Sequence, residues 1–130
     1  MCGISGIYRW DGKPADEREI SAMLTKIKHR GPNDQGCWMQ GAIGLGFVRL
    51  SIIDLSEAGH QPMVSEDGRY VLTFNGEVFN YIEIRDELKL AGVRFKTETD
   101  TEVLLHAYIL WGKSCLHRFN GMWSFCIYDT

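Results

Sequence analysis

The chain has 130 residues, 45% apolar and 24% charged, the composition of a soluble globular domain with enough length to bury a real core. A net charge of −3 argues against a broad cationic surface, and so against the usual electrostatic route to nucleic acid or an anionic membrane. The opening MCGISGIYRWDG has no basic leader, and Arg9, Trp10 and Asp11 interrupt any apolar run, so it does not read as a signal peptide. No stretch approaches a membrane span, and a cytoplasmic location is expected.

Residues 3–9 read as a short strand. Asp16, with Glu19 three residues on, opens a helix whose apolar face is Ile20, Met23, Leu24 and Ile27. Lys26, Lys28, His29 and Arg30 suit its negative end, and Gly31-Pro32 stops it. Two Gly-flanked runs, 36–40 and 42–48, are apolar enough to pair as a hairpin. Residues 69–74 read as a strand ending at the turn pair Asn75-Gly76. A helix follows with Tyr81, Ile84, Leu88 and Ala91 on one face and Gly92 as its stop, and residues 93–96 read as another strand. Thr99, with Glu102 three residues later, caps a helix with a buried stripe of Val103, Leu104, Ala107, Tyr108 and Trp111. Asn120-Gly121 then turns into MWSFCIYD, a strand apolar on both faces that calls for cover on both. Strands meeting through turns predict antiparallel sheets with helices outside them, an α+β layered domain with no internal boundary.

The cysteines are Cys2, Cys37, Cys115 and Cys126. They form no CxxC pair and have no histidine at metal-ligand spacing, so neither a metal site nor a disulfide framework is expected. Cys37, Cys115 and Cys126 read as small buried hydrophobes. Cys2 differs by its position. Removal of Met1 would put an α-amine, with a pKa of roughly 7.7–8.0, on the same residue as the thiol. Base and nucleophile are then held together by covalent geometry. If Met1 stays, that base is lost.

MCGISGIY, HRGPND, RLSIID, GHQPM, FNGEVFNY and TETDTEV follow one another in that order across nearly the whole chain. Together they resemble the class II (N-terminal nucleophile) glutamine amidotransferases. Arg-Gly-Pro-Asn at 30–33 and GHQPM are most like the N-terminal glutaminase domain of glutamine-hydrolysing asparagine synthetases. The resemblance implies the N-terminal nucleophile hydrolase fold, a four-layer αββα sandwich of two antiparallel sheets between helices. It implies hydrolysis of glutamine to glutamate and ammonia through a thioester on Cys2.

By the same resemblance, Asn75, through its side-chain amide, and Gly76, through its N–H, form the oxyanion hole. A plain Asn-Gly hairpin turn is the alternative reading, weakened because a helical pattern follows instead of a matching strand. Arg49 is expected to bind the glutamine α-carboxylate, with Leu50, Ser51, Ile52 and Ile53 as the adjoining wall through backbone groups. Asp100 and Glu77 are the acidic partners on the other side, Asp100 the better candidate for the ammonium. Glu98 stands where many relatives have a small residue. Arg30 is read as support beneath the nucleophile, and His29, His60, His106 and His117 as non-catalytic.

In the family this domain continues beyond the position matching Thr130, so residues 1–130 are expected to be a glutamine amidotransferase domain without its last strands or its synthetase domain. The glutaminase step implies no metal or organic cofactor; ATP and magnesium belong to the synthetase domain, which would amidate aspartate. The expected partners are glutamine and that synthetase domain, with no nucleic acid and no membrane. Strand edges left exposed at 122–128 predict that the fragment self-associates as a homodimer. Two other readings remain: the glutaminase of an amidotransferase with a different acceptor, or a non-catalytic glutamine-binding module if Met1 is retained.

Overall fold

Asp16 sits in an extended conformation, and its carboxylate accepts the Arg18 N–H at the start of helix α1 (Glu17–Ile27). Glu19 does not close a capping box; its carboxylate pairs with Arg9. In the computed structural model, which describes residues 2–52 and 56–130, α1 follows strand β1 (Gly3–Tyr8) and leads to the hairpin β2 (Asp34–Gln40) and β3 (Ile43–Arg49). These strands form one antiparallel sheet in the order β1-β3-β2. Ile20, Leu24 and Val48 make a small core between α1 and this sheet, while Met23 points outward, so the apolar face of α1 is narrower than its sequence suggests.

The second sheet is antiparallel in the order β4 (Met63–Val64), β5 (Tyr70–Val78) and β6 (Gly121–Asp129). Helices α2 (Tyr81–Leu90) and α3 (Asp100–Trp111) cover its outer face. Leu72, Phe74 and Val78 of β5 pack there against Ile84, Leu88, Val103, Leu104 and Ala107. Each of the larger of these side chains contributes about 1.5–3 kcal/mol by leaving water. Ala91, expected on the buried face of α2, is exposed. Between the sheets lie Ile43, Leu45 and Val71, closed by Trp38 of β2 and Tyr128 of β6 with ring centroids 5.6 Å apart. Helix, sheet, sheet and helices make the four layers.

Four local expectations are overturned. β5 does not stop at Asn75-Gly76 but runs through them to Val78, because β6 pairs with its whole length, Asn75 opposite Ser124 and Gly76 opposite Trp123. Residues 93–96 form no strand. The Val93 N–H bonds to Leu88 O, and the Glu102 carboxylate accepts from the N–H of Lys96 and of Thr97 just beyond. On β6 the two faces differ: Trp123, Phe125 and Ile127 join the helical core, whereas on the other face Tyr128 packs between the sheets but Met122 is 70% exposed and Cys126 is exposed. Cys37 is exposed as well, so of the three cysteines read as buried only Cys115 is. Among the described residues nothing pairs with the outer edge of β6, the feature on which the expected self-association rests.

Glu102 is buried, and burial pushes its carboxyl up. Hydrogen bonds from His106, Lys96 and Thr97 outweigh that and hold it at about 2. Because its folded value lies below the ordinary one, its contribution is complete above about pH 4.5 and fades as pH falls toward 2. Glu102→Ala is expected to cost about 1–3 kcal/mol at neutral pH by orphaning backbone donors. The same change should flatten the acid limb of the stability curve, as read by urea melts between pH 2 and 7.

Candidate active site

Register brings Cys2 to its place. β1 begins with Gly3 opposite Val48, so the preceding residue falls beside the end of β3. The thiol meets the backbone of Leu50 there: Leu50 N–H donates to Sγ at 3.3 Å, and Sγ lies 3.5 Å from Leu50 O. From the turn after α1, Arg30 Nε donates to the Cys2 carbonyl at 3.0 Å. Arg30 therefore sits where sequence reasoning put it, fixing the backbone that carries the thiol.

Cys2 opens on a cleft shared with Arg49, Leu50, Ile52, Asn75, Gly76, Glu77 and Asp100. All seven are residues that the sequence motifs single out. Ser51 departs from its expected place. Its N–H donates to Asn33 Oδ1 at 3.1 Å, and it lines a neighbouring depression instead. Ile53 lies outside the described residues.

The backbone of β5 explains why Asn75-Gly76 is useful here. An antiparallel strand directs successive N–H groups to alternate sides. On one side β6 takes them, and just beyond β5 the Phe79 N–H still reaches Asn120 O at 2.7 Å. On the other side β4 is only two residues long and ends opposite Leu72. Beyond that point the Phe74 N–H goes to Gln61 Oε1 at 2.6 Å, and the Val78 N–H to Asp100 Oδ2 at 3.0 Å. The alternation leaves Gly76 between them, its N–H on the same free side and facing the cleft. Asn75 has its Oδ1 buried and without a partner among the described residues, so its carboxamide retains unused hydrogen-bonding capacity.

Gly76 has φ of +153°, and a Cβ there would lie 2.3 Å from Met122 O and 2.5 Å from Trp123 Cα. Only glycine fits. Arg49, also in the cleft lining, is buried, and its Nη1 donates to Ser56 O at 2.6 Å. Gly59 lets the chain pass over the guanidinium: a Cβ at that position would lie 2.1 Å from Nη2.

Asp100 is the first residue of α3, behind the Thr99 cap, and burial raises its pKa, against hydrogen bonds that lower it and with the charge of Glu77 raising it further. A cation arriving beside it would favour its ionised form. The approach to Asp100 is built by a residue that sequence reading passed over. Buried Arg85 of α2 donates to Thr97 O at 2.7 Å and Thr99 O at 3.0 Å and stacks on Phe95. Glu98 is exposed and pairs with Arg85 at 3.4 Å, so its bulk stays outside the cleft. Gln61, Thr99 and Thr101 also line the cleft without having been anticipated. Gln61 stood inside GHQPM, but only the packed chain shows what its side chain reaches. Of the histidines, none lines this cleft; His60 pairs with Asp34 at 2.7 Å on the neighbouring surface.

Among the described residues no group of three His, Cys, Asp or Glu is placed to hold a metal ion, and no helix is long and apolar enough to cross a membrane.

Comparison with solved structures defines the class. The glutamine phosphoribosylpyrophosphate amidotransferase of Bacillus subtilis, complexed with ADP and GMP, superposes with a TM-score of 0.79 at 21% identity. The match covers 99% of this chain and 35% of that one, and it carries the fold: the N-terminal nucleophile arrangement of two antiparallel sheets between helices. The sequence profile of the glutamine amidotransferase domain matches residues 1–130, and the chain belongs to that family. It is 42% identical to asparagine synthetase [glutamine-hydrolyzing] 1 of Bacillus subtilis, over 99% of this chain and 21% of the relative. It is 45% identical to a Methanocaldococcus jannaschii protein named for the same activity, over 99% of this chain and 28% of the relative. The chain thus spans less than a third of the length of these relatives.

Gly76→Ala tests the backbone reading of the site. Because the obstructing atoms are backbone, the strand pair must separate, and a loss of at least about 2 kcal/mol is expected from overpacking and the strained φ together. Urea unfolding of the variant measures it, and a midpoint equal to wild type would show that β5 and β6 separate without cost.

Proposed function

We propose that this domain hydrolyses glutamine to glutamate and ammonia at Cys2, as the glutaminase half of an asparagine synthetase-like amidotransferase. The observation that carries the reading is the charge layout around the thiol. Arg49 comes from β3 in the first sheet, Glu77 from β5 and Asp100 from α3, and all three line the same cleft as Cys2, Asn75 and Gly76. An amino acid zwitterion needs that pair of opposite charges, and a side-chain amide needs a nucleophile next to uncharged donors.

In this reading the guanidinium of Arg49 grips the α-carboxylate and Asp100 receives the α-ammonium. The Cys2 thiolate adds to the δ-carbonyl carbon, and the electron pair moves onto oxygen. The Asn75 side-chain amide and the Gly76 N–H stabilise that oxyanion as preorganised dipoles, a contribution of about 3–4 kcal/mol for each donor. Collapse expels ammonia, which leaves with a proton, and gives the γ-glutamyl thioester. Water then adds to the thioester, releasing glutamate and restoring the thiol. With Met1 removed, the α-amine of Cys2 carries the protons between these steps.

The glutaminase step is proposed to run without metal or organic cofactor. Amidation of aspartate with ATP and magnesium is assigned to a synthetase domain outside this chain. Support for that assignment is the naming of the curated relatives, both as glutamine-hydrolysing asparagine synthetases.

Two substitutions in the full-length protein test the reading. Cys2→Ala should abolish glutamate release from glutamine while leaving synthesis from added ammonia intact, since the thiol serves only the first half-reaction. Equal loss of both activities in a folded variant would remove Cys2 from its role. Arg49→Ala should raise the KM for glutamine roughly ten- to a hundredfold, the worth of a charged hydrogen-bonded contact, with a much smaller change in kcat. An unchanged KM with a large fall in kcat would contradict the carboxylate assignment.

A further inference from the structure

We propose that Gln61 is a positioning residue for the oxyanion donors, an inference that rests on the glutaminase reading of the same cleft. Gln61 is 3% exposed and lines the cleft from beneath. Its carboxamide makes two bonds of opposite sense. Oε1 accepts the Phe74 N–H at 2.6 Å, and Nε2 donates to Thr101 Oγ1 at 3.3 Å.

Both partners are next to a proposed site residue. Phe74 immediately precedes Asn75 on β5, and Thr101 immediately follows Asp100 on α3. One side chain therefore ties the strand that presents the oxyanion donors to the helix that presents the ammonium-binding carboxylate. The tether is itself anchored. The preceding residue, His60, pairs through Nδ1 with Asp34 Oδ2 of β2 at 2.7 Å, which links Gln61 to the first sheet.

The chemistry explains the residue type. β4 ends opposite Leu72, so the Phe74 N–H has no strand to bond to and is buried. An orphaned buried donor costs about 1–3 kcal/mol, enough to pull the strand toward another acceptor. A carboxamide satisfies that donor and still offers a donor of its own to Thr101, which an apolar side chain cannot do. Without it, β5 is free to shift at the point where Asn75 and Gly76 must be held still. Displacement of about 1 Å in a reacting geometry is worth on the order of a hundredfold in rate. Because oxyanion donors act in the transition state, the loss should fall on kcat and leave substrate binding largely untouched.

The experiment uses the full-length protein. Wild type must first release glutamate from glutamine; an inactive wild type overturns the glutaminase reading and this inference with it. With wild type active, Gln61→Met is expected to lower kcat by roughly 10- to 100-fold. The KM for glutamine, and the rate at which iodoacetamide alkylates Cys2 as followed by mass spectrometry, should stay near wild type. A kcat equal to wild type overturns the inference, as does a parallel loss of Cys2 alkylation in the folded variant, which would place the damage at the nucleophile. If Gln61→Met does not fold, Thr101→Val and Thr101→Ser decide. Valine keeps the shape and removes the acceptor, so kcat should fall, and serine, which keeps the hydroxyl, should restore it. Equal kcat for the two overturns the inference and leaves the glutaminase reading standing.

Discussion

A strand whose neighbour stops early leaves backbone N–H groups facing away from any sheet, and each must find an acceptor or be stranded. β5 is in that position, because β4 accompanies it for two residues only. Side chains complete the missing ladder: Gln61 takes the N–H of Phe74 and Asp100 that of Val78. The N–H of Gly76 falls between them and points into the cleft. Nearly everything that makes the site depends on this short stretch of unpaired edge. It supplies a polar donor inside a well-packed protein without a charged side chain, and it is rigid because β6 holds the other side of the same strand over nine residue pairs.

The same edge sets where the second charge of the cleft sits. Asp100 reaches the Val78 N–H with one oxygen, which places α3 against β5 and keeps the carboxylate in the cleft lining, buried and raised in pKa by that burial. The loop leading to it is irregular, and two buried charges organise it. Arg85 collects the carbonyls of Thr97 and Thr99, while Glu102 collects the N–H groups of Lys96 and Thr97. Both are charged residues that stabilise backbone in place of regular secondary structure. A charge buried with several hydrogen bonds is tolerable where an unpaired one is not. Arg49, which also lines the cleft, is likewise enclosed, beneath the Gly59 backbone and on the Ser56 carbonyl, so its guanidinium is held in orientation before any ligand arrives.

Cys2 completes the site through register. The thiol is not brought in by a loop; it stands at the start of a strand whose six pairs with β3 fix its position against Leu50. Arg30 on its carbonyl holds the same backbone from the other side.

How much of this was legible beforehand follows from the range of each interaction. Helix caps and apolar periodicity act within a few residues, so Asp16, Thr99 and the α3 stripe were readable from sequence, as were the hairpin of β2 and β3 and the layered class. The ordered motifs pointed to Cys2, Arg49, Asn75, Gly76, Glu77 and Asp100, and folding gathers all six around one cleft. Local signals misled where a distant partner overrides them. Asn75-Gly76 has the composition of a turn, yet pairing with β6, some 48 residues later, keeps it in a strand. Residues 93–96 alternate like a strand, but among the described residues no strand pairs with them, and Val93 and Lys96 donate instead to Leu88 and Glu102. β6 reads as apolar on both faces, and whether the second face is covered depends on what the rest of the fold lays against it. Gln61 and Arg85 could be named from sequence but not assigned, since their work is done on backbone 12 to 14 residues away or on another element entirely. Sequence by itself determined the residue types the chemistry needs and the local elements that carry them. Which backbone donor is left free, and which side chains hold its neighbours, was decided only by tertiary structure, because a hydrogen bond left unmade is a property of the packed whole.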